Sequence, residues 1–179
     1  MVPSIVDCHE FMNKYEMLNN IKAHSVVVEK VAGIIARGLM ASGETVSLGI
    51  TSAGALMHDI AKTPCLRTGE DHAAMGKMIC IENDLAEIAE IVGQHVRLKN
   101  YDPQGDISEK EIVYYADKRV NHDVVVSLEE RLKYLLLRYG KDNHHLRIRI
   151  RWNFDMAKEV EKKLFAHLPF SPEEVGNLI

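Results

Sequence analysis

A histidine and an aspartate stand side by side in the otherwise apolar segment SAGALMHDIAKT, residues 52–63. His58 and Asp59 follow three apolar residues, at a point where a core helix would be expected to continue with more of them. A buried unpaired charge is so costly that such groups neutralise, pair or bind a metal. The pair is therefore a candidate for metal ligation.

Further polar residues lie where helices are predicted to begin, end or face the core. Asp117 lies four residues after Val113 and three before Val120, on the apolar stripe of its helix. The others are His24, His72 and His95. At any one of these positions alone, a hydrogen-bonded core group is the commoner explanation, but six such residues on four or five helices favour a shared site. Imidazole and carboxylate ligands without thiolates suit zinc, iron, manganese or similar divalent ions, which a helical bundle can hold in its core.

Asp59 has a property that its neighbour lacks. Adjacent residues are about 100° apart around a helix, so His58 and Asp59 can both reach an ion beside the helix end. A carboxylate has two oxygens, so Asp59 can bridge two ions while His58 binds one. The remaining histidines lie among polar residues near helix ends and are predicted to face solvent: His9, His122, His144, His145 and His167.

The elements that must position these residues are predicted to be helices throughout. Apolar residues recur at three-to-four spacing, and Ser-x-x-Glu capping boxes stand at residues 108–111 and 127–130. KTPCLRTGED, with Pro64 and Gly69, is expected to break the second helix. LRIRIRW could be a strand, but the pattern after it continues a helix. The predicted helices span about 21–43, 45–61, 71–82, 85–95, 109–122, 127–140 and 143–167, with a last turn from 171.

Composition limits the classes of partner and compartment. A formal charge of -4 gives no global basic field, so neither nucleic acid nor a membrane surface is expected as a partner. Three cysteines without a C-x-x-C motif, and no signal-like or membrane-spanning run, favour the cytoplasm. With no linker or repeat, residues 1–179 are interpreted as one domain, with a core of about 21–122 and a helical extension of about 127–179. The oligomeric state is not indicated.

The order His24, His58-Asp59, Asp117 resembles the H...HD...D signature of the HD-domain superfamily of metal-dependent phosphohydrolases. ALMHDIAK resembles that family's HDIG-type segment, and YYADKRV resembles its second-aspartate helix. EDHAAMGKMI and VGQHVR resemble the additional histidines of members that hold two metals. The pattern is similar to that of bacterial members that cleave dinucleoside polyphosphates symmetrically, but HVRLKN stands where those have His-Thr-x-Gly.

The resemblance implies an all-α, single-domain helical bundle of the HD-domain type with a defined ligand set. One divalent ion would be held by His24, His58, Asp59 and Asp117. A second would be bridged by Asp59 and held by His72 and His95. The metal is left open among Fe, Mn, Co, Zn, Ni and Mg, as is the choice between one ion and two.

The expected chemistry is hydrolysis of a phosphate ester or anhydride of a nucleotide-like small molecule by metal-activated water, with Asp59 and Lys62 as catalytic residues. Cations near the ligands are candidates for binding the phosphate: Lys62, Arg97, Lys118 and Arg119. Two alternatives remain open. The same ligands would serve a di-iron oxygenase of the HD type, and a non-catalytic sensor domain could keep its metals for structure.

Overall fold

The chain folds as a bundle of α-helices with one short antiparallel hairpin. The computed structural model describes residues 1–141 and 143–179. The helices are α1 (Ile5–Lys14), α2 (Asn19–Ala41), α3 (Leu48–Met57), α4 (Lys62–Thr68), α5 (His72–Glu82), α6 (Ala86–Gln94), α7 (Glu109–Lys118), α8 (Leu128–Tyr139) and α9 (His144–Phe165). Strands β1 (Val120–Asn121) and β2 (Val124–Val125) form the hairpin between α7 and α8, and a 3-10 helix (Pro172–Asn177) follows α9. The predicted all-α fold is confirmed.

Two of the predicted helix starts are built on capping boxes. The backbone N–H of Ser108 donates to Oε2 of Glu111 at 2.8 Å at the start of α7. Ser127 and Glu130 repeat the arrangement at 2.8 Å at the start of α8. Each box satisfies backbone donors that the first turn of a helix leaves unpaired. The segment LRIRIRW lies inside α9, so its interpretation as helix is confirmed.

The predicted helix of residues 45–61 is shorter than expected, and the segment expected to break it forms a short helix of its own. Ser47 caps α3, which ends at Met57, and α4 then forms within KTPCLRTGED. Pro64 is the third residue of α4, where its missing N–H has no intrahelical acceptor to lose. Gly69 ends α4 with a φ of 74°, a left-handed conformation that glycine adopts without strain.

The predicted helix of residues 109–122 was also too long. α7 ends at Lys118 because the chain turns there into the hairpin, in which Val120 pairs with Val125. His122 lies in the hairpin turn with a φ of 56°. Strands of two residues are too short to produce an alternating pattern in a sequence.

The site is positioned by α3, which runs through the middle of the bundle. Its residues 51–57 are all buried, and it packs against α1, α2, α6 and α7. Helix α6 approaches closely at Gly54, where an added Cβ would lie 2.7 Å from Cγ2 of Ile91. His58 and Asp59 directly follow α3, so both are carried to the centre of the fold.

Within the described residues, no helix has the length and apolar character needed to cross a membrane.

Candidate metal centre

Three of the predicted histidines are held in the same way by the backbone. Nδ1 of His24 lies 2.7 Å from the carbonyl oxygen of His122, and Nδ1 of His58 lies 2.7 Å from that of Ala55. Nδ1 of His95 lies 2.6 Å from the carbonyl oxygen of Val92. A carbonyl oxygen only accepts, so each Nδ1 carries a proton, and a ring that holds one proton there has its lone pair on Nε2. This orientation is common among metal-binding histidines.

The Nε2 atoms of three histidines converge on the carboxylate of Asp59, which is 1% exposed. Oδ1 of Asp59 lies 3.3 Å from Nε2 of His72 and 3.4 Å from Nε2 of His95. Oδ2 lies 3.4 Å from Nε2 of His58 and accepts a hydrogen bond from Nζ of Lys62 at 2.7 Å. Each oxygen of the carboxylate therefore faces a different set of histidines.

Asp117, from α7, completes the first half of the cluster. Its Oδ1 lies 3.1 Å from Nε2 of His24 and 3.7 Å from Nε2 of His58. Asp117 thus approaches the same two histidines that flank one side of Asp59.

Five of the six residues form two groups of potential ligands that share Asp59, and Asp117 lies beside the first group. The ligand atoms of His24, His58 and Asp59 lie within 4.8 Å of one another. The same limit holds for the second group, which consists of Asp59, His72 and His95. The structure brings together all six residues that the sequence singled out as ligands.

Two orphaned atoms in the cluster indicate what the site is built to hold. Nε2 of His58 and Oδ1 of Asp59 are buried and find no hydrogen-bond partner in the described part of the chain. Leaving such atoms unpaired costs about 1–3 kcal/mol each unless another group satisfies them. Nitrogen and carboxylate oxygen atoms pointed at a common centre are the donors that divalent ions such as zinc, iron and manganese accept. The residues present therefore fit a metal ion.

The pKa values of the two acids support the same reading. Burial opposes ionisation of Asp59, but the surrounding imidazoles hold the pKa of its carboxyl well below the usual range. Burial also opposes ionisation of Asp117, and Lys118 and His24 hold its pKa well below the usual range. Burial lowers the pKa of His95 to about 4, so this ring is neutral near pH 7. Ionised carboxylates and neutral imidazoles are the forms that bind metals.

His58 responds to the charge that the two acids place around it. Burial acts to lower the pKa of His58, but the charges of Asp59 and Asp117 raise it above the ordinary value. The carboxylates thus favour a positive charge at the centre of the cluster, whether a proton or a cation supplies it.

Two open clefts reach the cluster from outside and meet above Asp59. One, of about 210 Å³, lies on the side of His24 and His122. The other, of about 430 Å³, lies on the side of His72, His95 and Asp117. Residues common to both clefts are Asp59, Lys62, Arg131, Leu135 and Tyr139.

Lys62 is the predicted cation that lies over the cluster. Its ammonium contacts Asp59, whose charge raises the pKa of Lys62 although burial acts to lower it. Lys62 therefore remains charged near neutral pH and lines both clefts.

Lys118 contacts two of the candidate ligands, His95 and Asp117. It is 4% exposed, and its Nζ donates to Oδ2 of Asp117 at 3.2 Å and to the carbonyl oxygen of His95. Burial lowers the pKa of Lys118. These contacts connect α7 to the end of α6, and Lys118 also lines the larger cleft.

The structure does not bring the other two predicted cations to the cluster. Arg119 points away, and its guanidinium donates to the carbonyl oxygens of Val126 and Pro172 and to the hydroxyl of Tyr115. Through these hydrogen bonds, Arg119 connects the end of α7 to the segment after the hairpin and to the C-terminal segment. Arg97 is exposed and lines a neighbouring cavity on the surface.

Arg131, from α8, is a cation that the sequence analysis missed. It lines both clefts, and NH1 donates to Oδ1 of Asn121 at 2.6 Å, which fixes its direction. A signal was present, because Arg131 lies three residues after Leu128 and four before Leu135, on the apolar stripe of its helix. Arg131 is therefore marked by the same pattern as Asp117, a charged residue on an apolar stripe.

The part of the chain that carries the cluster matches a known protein family. The family model of the HD domain matches residues 21–121, which is more than half of the chain and contains all six ligand candidates. The chain belongs to the HD domain family. HD domains are characteristic of a superfamily of metal-dependent phosphohydrolases, and the buried His/Asp cluster of this HD domain fits divalent metal binding. No curated protein and no solved structure matches the chain.

Proposed function

We propose that this HD domain is a metal-dependent phosphohydrolase that cleaves a phosphate ester or anhydride of a nucleotide-like small molecule with metal-activated water. The observation that carries the proposal is the position of Asp59. Its two oxygens face two groups of histidines, and two cations stand over it in the clefts.

Six residues would hold the ions. His24, His58, Asp59 and Asp117 would hold one, and His72 and His95 would hold the second together with Asp59. A divalent ion in such a site lowers the pKa of a coordinated water and neutralises charge on phosphoryl oxygens.

Lys62 and Arg131 would bind the substrate. Non-bridging phosphoryl oxygens are negatively charged, and charge-assisted hydrogen bonds to ammonium and guanidinium groups are the strong kind. Arg131 is oriented by Asn121 before any substrate arrives, so less entropy is lost when it binds. Both residues line both clefts, so a phosphoryl group bound between them would lie beside Asp59.

Asp59 would also orient the attacking water by accepting a hydrogen bond from it. Its pKa is held well below the usual range, so the carboxylate is ionised and can orient a water through an accepted hydrogen bond. The Lys62 ammonium on Oδ2 maintains that ionised state. Lys62 would therefore have two roles: it keeps Asp59 ionised so that Asp59 can orient the water, and it binds the phosphoryl oxygens.

The test is phosphate release by chelator-treated protein supplied in turn with Mn²⁺, Fe²⁺, Co²⁺, Zn²⁺, Ni²⁺ and Mg²⁺. Nucleoside mono-, di- and triphosphates, dinucleoside polyphosphates and a phosphomonoester form the substrate panel. We expect metal-dependent release from at least one of them, and Asp59→Asn should lower it by at least about 100-fold. Asp155→Asn, an exposed carboxylate on α9, is the matched control and should keep wild-type activity.

Two outcomes would contradict the proposal. One is the absence of phosphate release with every metal and substrate, while an iron-loaded form consumes oxygen with a small substrate. The other is full activity in Asp59→Asn.

A further inference from the structure

A second cavity adjoins the larger cleft along the surface of α9. It has a volume of about 130 Å³. The two share four lining residues, which are Val96, Leu146, Ile150 and Asn153. These four residues form a ridge between the larger cleft and the smaller cavity, which is called the outer cavity below. A molecule that fills the larger cleft can therefore reach the outer cavity by extending across this ridge.

The ridge between the two cavities is held in place by hydrogen bonds. Nδ2 of Asn153 donates to the carbonyl oxygen of Val96 at 2.9 Å, which ties the end of α6 to α9. The hydroxyl of Tyr114, a fully buried residue, contacts Oδ1 of Asn153 at 2.7 Å. The outer cavity thus rests on the same framework as the cluster, because Tyr114 lies three residues before Asp117 on α7.

The remaining walls of the outer cavity carry an unusual combination of side chains. Trp152 is the single tryptophan of the chain and is 55% exposed. Two exposed arginines, Arg97 and Arg149, line the cavity beside it. An exposed aromatic face next to two guanidinium groups suits a planar ring that carries anionic groups.

We propose that the outer cavity is a subsite for the planar, anionic part of the substrate that lies away from the bond being cleaved. The planar ring of this part stacks on Trp152, and the anionic oxygens attached to the same part bind Arg97 and Arg149. This inference rests on the proposed function, which supplies the phosphoryl group at the cluster. It assigns the substrate to the class of molecules with a phosphoryl group at one end and a charged aromatic group at the other.

Trp152 also supplies the readout, because all tryptophan fluorescence of the chain comes from this residue. The probe is α,β-methylene adenosine diphosphate, which keeps ring and charge but replaces the bridging oxygen by carbon. Methylenediphosphonate, which lacks the ring, is the matched control. We expect the nucleotide analogue to change the emission of the metal-loaded protein saturably, and methylenediphosphonate to leave it unchanged at the same concentrations.

Charge variants test the two arginines. Arg97→Gln and Arg149→Gln should each raise the half-saturating concentration of the analogue by roughly three- to tenfold, as expected for one lost charged contact. Arg151→Gln removes the same charge from an exposed position on the same helix, outside the cavity lining, and should have no effect. Trp152→Leu removes the fluorescent residue, so binding to this variant is measured by calorimetry. This variant should bind the analogue more weakly than the wild type does and bind methylenediphosphonate equally well.

The subsite is wrong if the analogue leaves the emission unchanged, or if Arg151→Gln weakens binding as much as Arg149→Gln. Its failure is distinguishable from failure of the proposed function. Phosphate release without a fluorescence response rejects the subsite alone. A specific response in a protein that hydrolyses no phosphate rejects the hydrolase alone and supports the subsite.

Discussion

Nζ of Lys62 lies 2.7 Å from Oδ2 of Asp59, three residues earlier in the chain, while Oδ1 of the same carboxylate faces His72 and His95. The ammonium thus occupies one of the two sides from which Asp59 can accept a cation. Lys62 both neutralises the carboxylate and stands where a phosphoryl group would enter.

Replacement of Lys62 by methionine should separate these two effects. Lys62→Met removes a cation that competes for Asp59, so the affinity for divalent ions should be unchanged or higher. The same change removes a donor to the phosphoryl oxygens and should lower kcat/KM by about 100-fold. Metal titration and steady-state kinetics on the same preparation measure both. Lys133→Met, at an exposed position on α8, is the control, and a parallel loss of metal and activity in Lys62→Met would contradict the assignment.

Arg131 should contribute mainly to binding. Arg131→Gln keeps a polar side chain beside Asn121 but loses the charge, so we expect KM for the phosphate substrate to rise about tenfold with a smaller change in kcat. Arg138→Gln removes an exposed arginine from the same helix and should behave as wild type. Equal KM values in both variants would show that Arg131 does not meet the substrate.

His72 should control the second ion alone. His72→Ala leaves His24, His58, Asp59 and Asp117 in place, so elemental analysis of metal-loaded protein should show a fall from two ions per chain to one. His9→Ala, an exposed histidine on α1, is the control and should leave the metal content unchanged. The two-ion arrangement is contradicted if His72→Ala retains the wild-type content.

Two buried thiols, those of Cys8 and Cys80, give a pH-dependent test of the core. Burial raises the pKa of Cys8 and of Cys80 from 9.0 to about 12. The unfolded chain therefore releases these protons near pH 9 while the folded protein retains them, so stability falls as pH rises through this window. Each thiol should lower the free energy of unfolding by about 1.4 kcal/mol between pH 8 and 10.

Urea unfolding of reduced protein at pH 8, 9 and 10 measures this slope. Cys80→Ala removes one ionising group, so its free energy of unfolding should fall less steeply with pH than that of the wild type. Identical slopes in the two proteins would mean that Cys80 is not held as a buried neutral thiol.

The sequence was sufficient to predict that these six polar residues lie together, because the signals were local and periodic. His24 and Asp117 lie on apolar stripes, and His58-Asp59 interrupts a helix that is otherwise buried. These residues meet in the structure because α2, α3 and α7 pack against one another and their apolar faces point to the same core.

The orientation of His24 and the choice of cations near the cluster could not be predicted, because both depend on contacts between segments that are distant in the sequence. The carbonyl oxygen that orients His24 belongs to His122, 98 residues later in a hairpin turn. Arg97 follows His95 by two residues yet lines the outer cavity, whereas Arg131, 36 residues after His95 in the sequence, lines both clefts. Local spacing cannot indicate which cations the bundle brings to the cluster.

Calorimetric titration of chelator-treated protein with Mn²⁺ near pH 7.5 tests the central claim most directly, because every later step depends on a metal at Asp59. Wild-type protein should saturate with two ions per chain, and Asp59→Asn should bind at least tenfold more weakly. A wild-type protein that binds no ion at millimolar Mn²⁺, Fe²⁺ or Zn²⁺, or an Asp59→Asn variant that binds as the wild type does, would contradict the account.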